Sequence, residues 1–245
     1  MKASIENING NNFSWLNEFS MINDNSSTYY YVVDYGLGEI SMFDDNWSFI
    51  NYSKSYLAPQ NIVSVNNELF ITSYSNIYKA DKYLNKINQF DAIDTPNYCG
   101  IYHNKTNNLL YVAAFDNKAI YLFDLKLNLV ESINLSMYQY PYSIQGFNNH
   151  LYVGTFNGVV LVISNKMIIK TFNGCNGCSN YITSITFDRF GFIGISSGNR
   201  NGYLHYPNGT LTEKVLTVDH DIQYMRFDSK NRLVVLTREK ISIFF

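Results

Sequence analysis

Hydrophobic positions in this chain come in short bursts broken by polar turns, and the bursts come in pairs. Residues 109–124, Leu-Leu-Tyr-Val-Ala-Ala-Phe-Asp-Asn-Lys-Ala-Ile-Tyr-Leu-Phe-Asp, set two runs rich in β-forming side chains on either side of Asp116-Asn117, which is the pattern of a hairpin. The same shape recurs at residues 30–36 with 39–44, at 69–74 with 76–79, and at 151–158 with 159–162. Two weaker copies lie at 192–197 with 202–206 and at 233–237 with 240–244. The spacing predicts six hairpins.

A more polar strand follows each hairpin, as at 129–134 or 167–172, and a short strand often introduced by proline precedes it, as at Pro59, Pro96 and Pro141. The unit is therefore four strands, A to D, recurring about every 40 residues, the period of a propeller blade. This predicts an all-β chain, a six-bladed β-propeller forming a single domain over residues 1–245. The sequence stops at Phe245, at the end of a third strand, so the last blade needs a D strand from elsewhere. Residues 5–10, Ile-Glu-Asn-Ile-Asn-Gly, resemble the end of the fourth outer strand, Ile-Lys-Thr-Phe-Asn-Gly at 169–174. The N-terminal strand is expected to pair with the C-terminal blade and close the ring, leaving no open edge.

Tyr31-Val32-Val33-Asp34-Tyr35-Gly36, continuing to Phe43-Asp44, resembles the NHL repeat, in which a Tyr-Val-x-Asp turn precedes a short apolar strand ending Phe-Asp. The turn aspartate is present in blade one and replaced by Ser73, Ala114, Thr155, Ser197 and Thr237 in the others, which marks a divergent relative. The resemblance implies a binding propeller, with an RNA-binding module as one alternative. The architecture is also similar to that of six-bladed lactonases and strictosidine synthases, and the lactonase likeness implies a divalent cation at the channel mouth. Hard cations need oxygen ligands. The corresponding rim positions here are Glu18 or Phe19, Gln60, Asn97, Tyr142, Thr183 and Gln223, a nearly neutral set. A metal-dependent hydrolase is therefore the alternative; a polar rim around a water-filled channel, without metal or cofactor, is the expectation.

Composition narrows the classes further. Lys and Arg number 18 against 20 Asp and Glu, with no run of five or six like charges, so the basic footprint of a nucleic-acid binder is not expected. The longest apolar runs, such as residues 159–163, are far short of a membrane span. The first residues lack the apolar stretch of a secretory signal, which favours an intracellular protein or one whose signal has been removed. Seven Asn-x-Ser/Thr triplets occur, at Asn12, Asn25, Asn46, Asn51, Asn104, Asn134 and Asn208; in a chain with 33 Asn most of these arise by chance.

Candidate chemistry is sparse. Cys175-Asn176-Gly177-Cys178 is half a zinc site at most; with His220 it forms a weak metal candidate, beside a local disulfide or two free loop thiols. No Gly-rich phosphate loop, nucleophile elbow or His-Glu-x-x-His motif is present. Tyr35, Tyr74, Phe115 and Phe156 each end a B strand, and Tyr98, Tyr142 and Tyr181 lie near A-strand starts. In a propeller both sets belong to one face. Large rings with polar edges suit recognition of a protein, peptide or glycan, although packing between blades consumes aromatic residues too. The reading reached is a monomeric, non-enzymatic scaffold that binds its partner at the channel-mouth face.

Overall fold

The computed structural model describes residues 2–8, 11–24, 27–135, 140–175, 181–228 and 230–244, and among these it contains strands and turns and no helix. Six four-stranded antiparallel sheets form the blades of a β-propeller. Their inner A strands are Leu16–Asp24, Asn61–Val65, Tyr98–Asn104, Pro141–Phe147, Ser184–Phe187 and Ile222–Phe227. Each packs beside the next and the sixth returns to the first, so the ring is closed around a central channel.

Closure uses both ends of the chain. The strand Lys2–Ile5 pairs antiparallel with Ile241–Phe244, matching Lys2 to Phe244 and Ile5 to Ile241. That edge would otherwise leave unpaired amides and carbonyls in the sixth blade. Lys240 adds an ion pair to Glu6 at 2.6 Å, just beyond the new strand.

The apolar bursts follow from where the middle strands sit. In Ser27–Asp34, Tyr30 and Val32 face the sixth blade, whereas Tyr31 and Val33 face the second. Both faces of a middle strand are buried, so period-two alternation disappears from its sequence. One hydrophobic cluster fills each seam between consecutive blades, for instance Phe70 and Ile77 against Val112 and Phe123, or Leu122 and Ile133 against Val153 and Leu161. Outer strands such as Leu129–Asn134 bury little and read as polar.

Hydroxyls cross the same seams. Thr72 Oγ1 donates to the Cys99 carbonyl at 2.7 Å, Ser143 Oγ to Ile182 at 2.8 Å, and Thr183 Oγ1 to Ile222 at 3.4 Å. Each satisfies a buried polar group with the neighbouring blade, which ties register between blades as well as within them.

Turns carry a second repeat. Asp44, Asp81 and Asp124 each accept backbone N–H groups from residues two and four further on, at 2.8–2.9 Å. The fourth residue of each turn, Trp47, Leu84 or Leu127, has φ between 62° and 69°. Bulky residues rarely adopt that conformation, and here burial of all three side chains in the seams offsets it. Asparagine takes the tight hairpin positions, with Asn66-Asn67 and Asn148-Asn149 at positive φ, a use its short polar side chain permits.

Candidate functional site

The end of each B strand and the start of each A strand lie at one end of the channel. There the chain gathers a patch of rings. Phe115 stacks on Tyr140 at 4.7 Å between centroids, meets Tyr142 at 6.2 Å and Phe156 at 5.7 Å, and Phe156 in turn stacks on Tyr181 at 5.6 Å with planes 6° apart. Tyr142 and Tyr181 are 5.0 Å apart and complete the patch. Phe156 is 45% exposed, while the other four rings are half-buried. Lys118 places its ammonium 5.0 Å above the Tyr140 ring.

A smaller group adjoins the patch. Trp15 meets Tyr35 edge-on at 6.1 Å, the Arg238 guanidinium lies 4.1 Å from the Trp15 ring, and the indole N–H donates to Gln223 Oε1 at 3.2 Å. Asp34 holds this corner: its carboxylate accepts N–H bonds from Ser14, Trp15 and Leu37 at 2.8–3.0 Å. Burial pushes the Tyr142 phenol well above its ordinary range, with Cys99, Tyr181 and Tyr35 adding to it. Burial raises Tyr181 as well, against the pull of Arg238. Both phenols are neutral donors at physiological pH.

The structure thus brings Phe115, Tyr142, Phe156 and Tyr181 together, sets Tyr35 edge-on to Trp15 apart from the stacked rings, and leaves Tyr74 48% exposed outside the ring patch. Tyr98 departs from the expectation. It is 1% exposed and packs against Tyr121 at 6.1 Å and Phe123 at 6.3 Å in the seam between blades two and three. The reason is an offset from the proline: Tyr98, two residues after Pro96, pairs with Ala114 as Pro141 itself pairs with Thr155, and both strands carry the same irregularity after that pair, so the counterpart of Tyr142 is Cys99, one residue on. A one-residue shift in a strand exchanges the face a side chain occupies.

Rim positions are mostly buried and hydrogen-bonded within the protein. Gln60 donates to Asn97 Oδ1 at 2.8 Å, Thr183 shares a hydrogen bond with Ser196 at 2.7 Å, and Gln223 receives Trp15. Glu18 lies in the wall, 5% exposed, accepting from the Tyr224 hydroxyl at 2.6 Å and the Ile62 N–H at 3.3 Å. Desolvation raises its carboxyl to about 7 against those bonds and the nearby Arg226 charge. Among the described residues no three His, Cys, Asp or Glu side chains converge. Cys175 is buried and disulfide-bonded, Cys178 lies outside the described residues, and His220 is exposed. Cys99 is a free thiol whose burial pushes its pKa far up, away from nucleophilic chemistry.

Tyr140, Lys118, Trp15 and Arg238 were not singled out by sequence. Tyr140 precedes the blade-opening Pro141, and that adjacency is the signal that marks it.

No protein-family model matches the chain, and no curated protein sequence matches it. Among solved structures it is similar to a streptogramin B lyase, with TM-score 0.73 and 12% identity over 99% of this chain and 97% of that one. The WD40 β-propeller domain of Doa1 superimposes with TM-score 0.73 and 12% identity, covering 94% of this chain and 78% of that one. A catalytically inactive virginiamycin B lyase from Staphylococcus aureus, solved with quinupristin, gives TM-score 0.73 and 11% identity over 99% and 98%. At such identity the likeness is one of fold, and one propeller architecture hosts many functions.

Proposed function

We propose that the chain is a propeller scaffold whose ring patch at the channel mouth, Phe115, Tyr140, Tyr142, Phe156 and Tyr181, docks a protein or peptide partner. The observation that carries this is the contiguity of five partly exposed rings drawn from the loops of blades three to five. Leu57 and Ile93, 72% and 104% exposed in the loops entering blades two and three, extend apolar surface along the same face. Partly exposed aromatic rings, with the Arg238 guanidinium on the neighbouring Trp15, are the residue types that protein interfaces favour. The hydrolase alternative is disfavoured by its donor set, since both oxygens of the Glu18 carboxylate already accept hydrogen bonds from Tyr224 and Ile62.

Kinship with NHL propellers is proposed alongside the scaffold reading, supported by Asp34 holding the loop ahead of blade one. A single domain over residues 1–245 is supported by the sixth blade combining an N-terminal strand with C-terminal ones, and a monomer is proposed with it. The test is a phage-displayed peptide library panned on the immobilised protein, with a glycan array run in parallel. Selected peptides are expected to compete with one another and to fail on the Phe156→Ala/Tyr181→Ala variant. Glycan binding alone, sensitive to the same variant, transfers the face to carbohydrate.

A further inference from the structure

The opposite end of the channel holds a feature the ring patch does not use. A cavity of about 990 Å³ opens among the A-to-B turns, running from the channel wall into the groove between blades three and four. That volume is at the upper end of small-molecule sites. Its lining sets Arg226 and Gln145 from two inner strands beside Tyr102, with Lys105, His103 and His150 around the opening. No Asp or Glu appears among the described lining residues, although the chain as a whole has formal charge −2.

Arg226 is held by a side-chain hydrogen bond with the Tyr224 hydroxyl and, among the described residues, not by a directly paired acid. Lys166, also on the wall, is bridged to Glu131 at 2.7 Å, but among the described residues no carboxylate lies within ion-pair distance of Arg226 or Lys105. The acid nearest in influence to Arg226 is Glu18, whose oxygens accept from Tyr224 and Ile62 and whose carboxyl is itself raised to about 7. A concave wall of one sign focuses potential and draws the opposite charge. The remaining lining gives such a ligand a body to rest on. The Tyr102 and Tyr111 rings lie 6.4 Å apart, and Phe147 stacks on Phe187 at 4.5 Å behind the opening. Tyr102 reaches its place because position 146 is glycine: a Cβ there would sit 2.2 Å from the ring. Five Asn side chains and Gln145 add donors and acceptors around it.

We propose that this cavity binds a small organic anion, a phosphate or carboxylate carried on a planar or apolar body, with Arg226 as its charged anchor. A guanidinium offers such an oxyanion two parallel donors.

Calorimetric titration of the full chain with phenyl phosphate, benzoate and the neutral benzamide tests this. The expected result is saturable binding of at least one anion, benzamide at least tenfold weaker, and about tenfold loss or more in Arg226→Gln with the melting temperature checked alongside. Lys105→Glu, in an exposed turn, keeps the test decisive if Arg226→Gln does not fold, and is expected to weaken the anion severalfold. Phe156→Ala, on the other face, should leave all three titrations unchanged. Equal binding of benzamide, binding of neither anion, or unaltered affinity in both cation variants overturns the site. So does Arg226-dependent binding of a single-stranded oligouridylate without either small anion, which would reassign the cavity to a nucleic-acid backbone.

Discussion

The Tyr224 hydroxyl donates to the Glu18 carboxylate across 2.6 Å, joining the inner strand of the sixth blade to that of the first. The same carboxylate receives the Ile62 N–H from the second blade, so three blades meet on one buried acid. Desolvation outweighs these bonds and lifts the carboxyl from 4.5 to about 7. A carboxyl raised in the folded state favours folding while both states are protonated, and that contribution is lost as pH climbs from about 4.5 through 7. Glu18→Gln, whose amide oxygen still accepts from Tyr224, lacks this loss. Its stability relative to the parent protein is expected to improve by on the order of 3 kcal/mol between about pH 4.5 and 8, since a tenfold change in proton affinity is worth about 1.4 kcal/mol. Urea unfolding of both proteins at the two pH values measures the difference; a flat difference contradicts the burial of this acid.

Ring closure makes the N-terminal segment part of the sixth blade. Removing residues 1–6 strips the partner from Ile241–Phe244 and the ion pair from Lys240. The expected outcome is a clearly lower melting temperature together with concentration-dependent aggregation from the opened edge. Calorimetry and light scattering on the truncated chain check it, and an unchanged melt with a monodisperse solution would show that the strand is dispensable.

Burial separates two of the aromatic residues sharply. Tyr98, at 1% exposure, sits against Tyr121 and Phe123, and its change to Ala is expected to cost about 3–5 kcal/mol, as loss of a buried ring does. Phe156→Ala, at 45% exposure, should cost about 1 kcal/mol or less. Equilibrium unfolding of the two variants decides whether the seam and the patch are correctly distinguished; similar costs would merge them.

Much of the architecture was legible because a blade is a local object. Paired apolar bursts such as those in residues 109–124 report strands buried on both faces, and the missing strand after Phe244 points to Ile5. The site was less so. Tyr98 and Tyr142 both lie close behind a proline, but Pro96 stands two residues before its strand's first pair whereas Pro141 is itself that pair, and this offset is set by backbone pairing, which leaves no composition signal. The cation-lined cavity was hidden for a different reason: Lys105, Gln145 and Arg226 come from three blades, and none belongs to a motif. Proximity created only by ring closure cannot be counted from spacing.

The ring patch as a docking surface is tested most directly by the dissociation constant of a panned peptide for the parent protein and for Phe156→Ala/Tyr181→Ala, with Tyr83→Ala, exposed on the far face, as control. Losing two aromatic anchors is expected to weaken binding about a hundredfold, while the control keeps the parental value and the melts stay close. Undiminished affinity in the double variant, or equal loss in Tyr83→Ala, would contradict the assignment of this face.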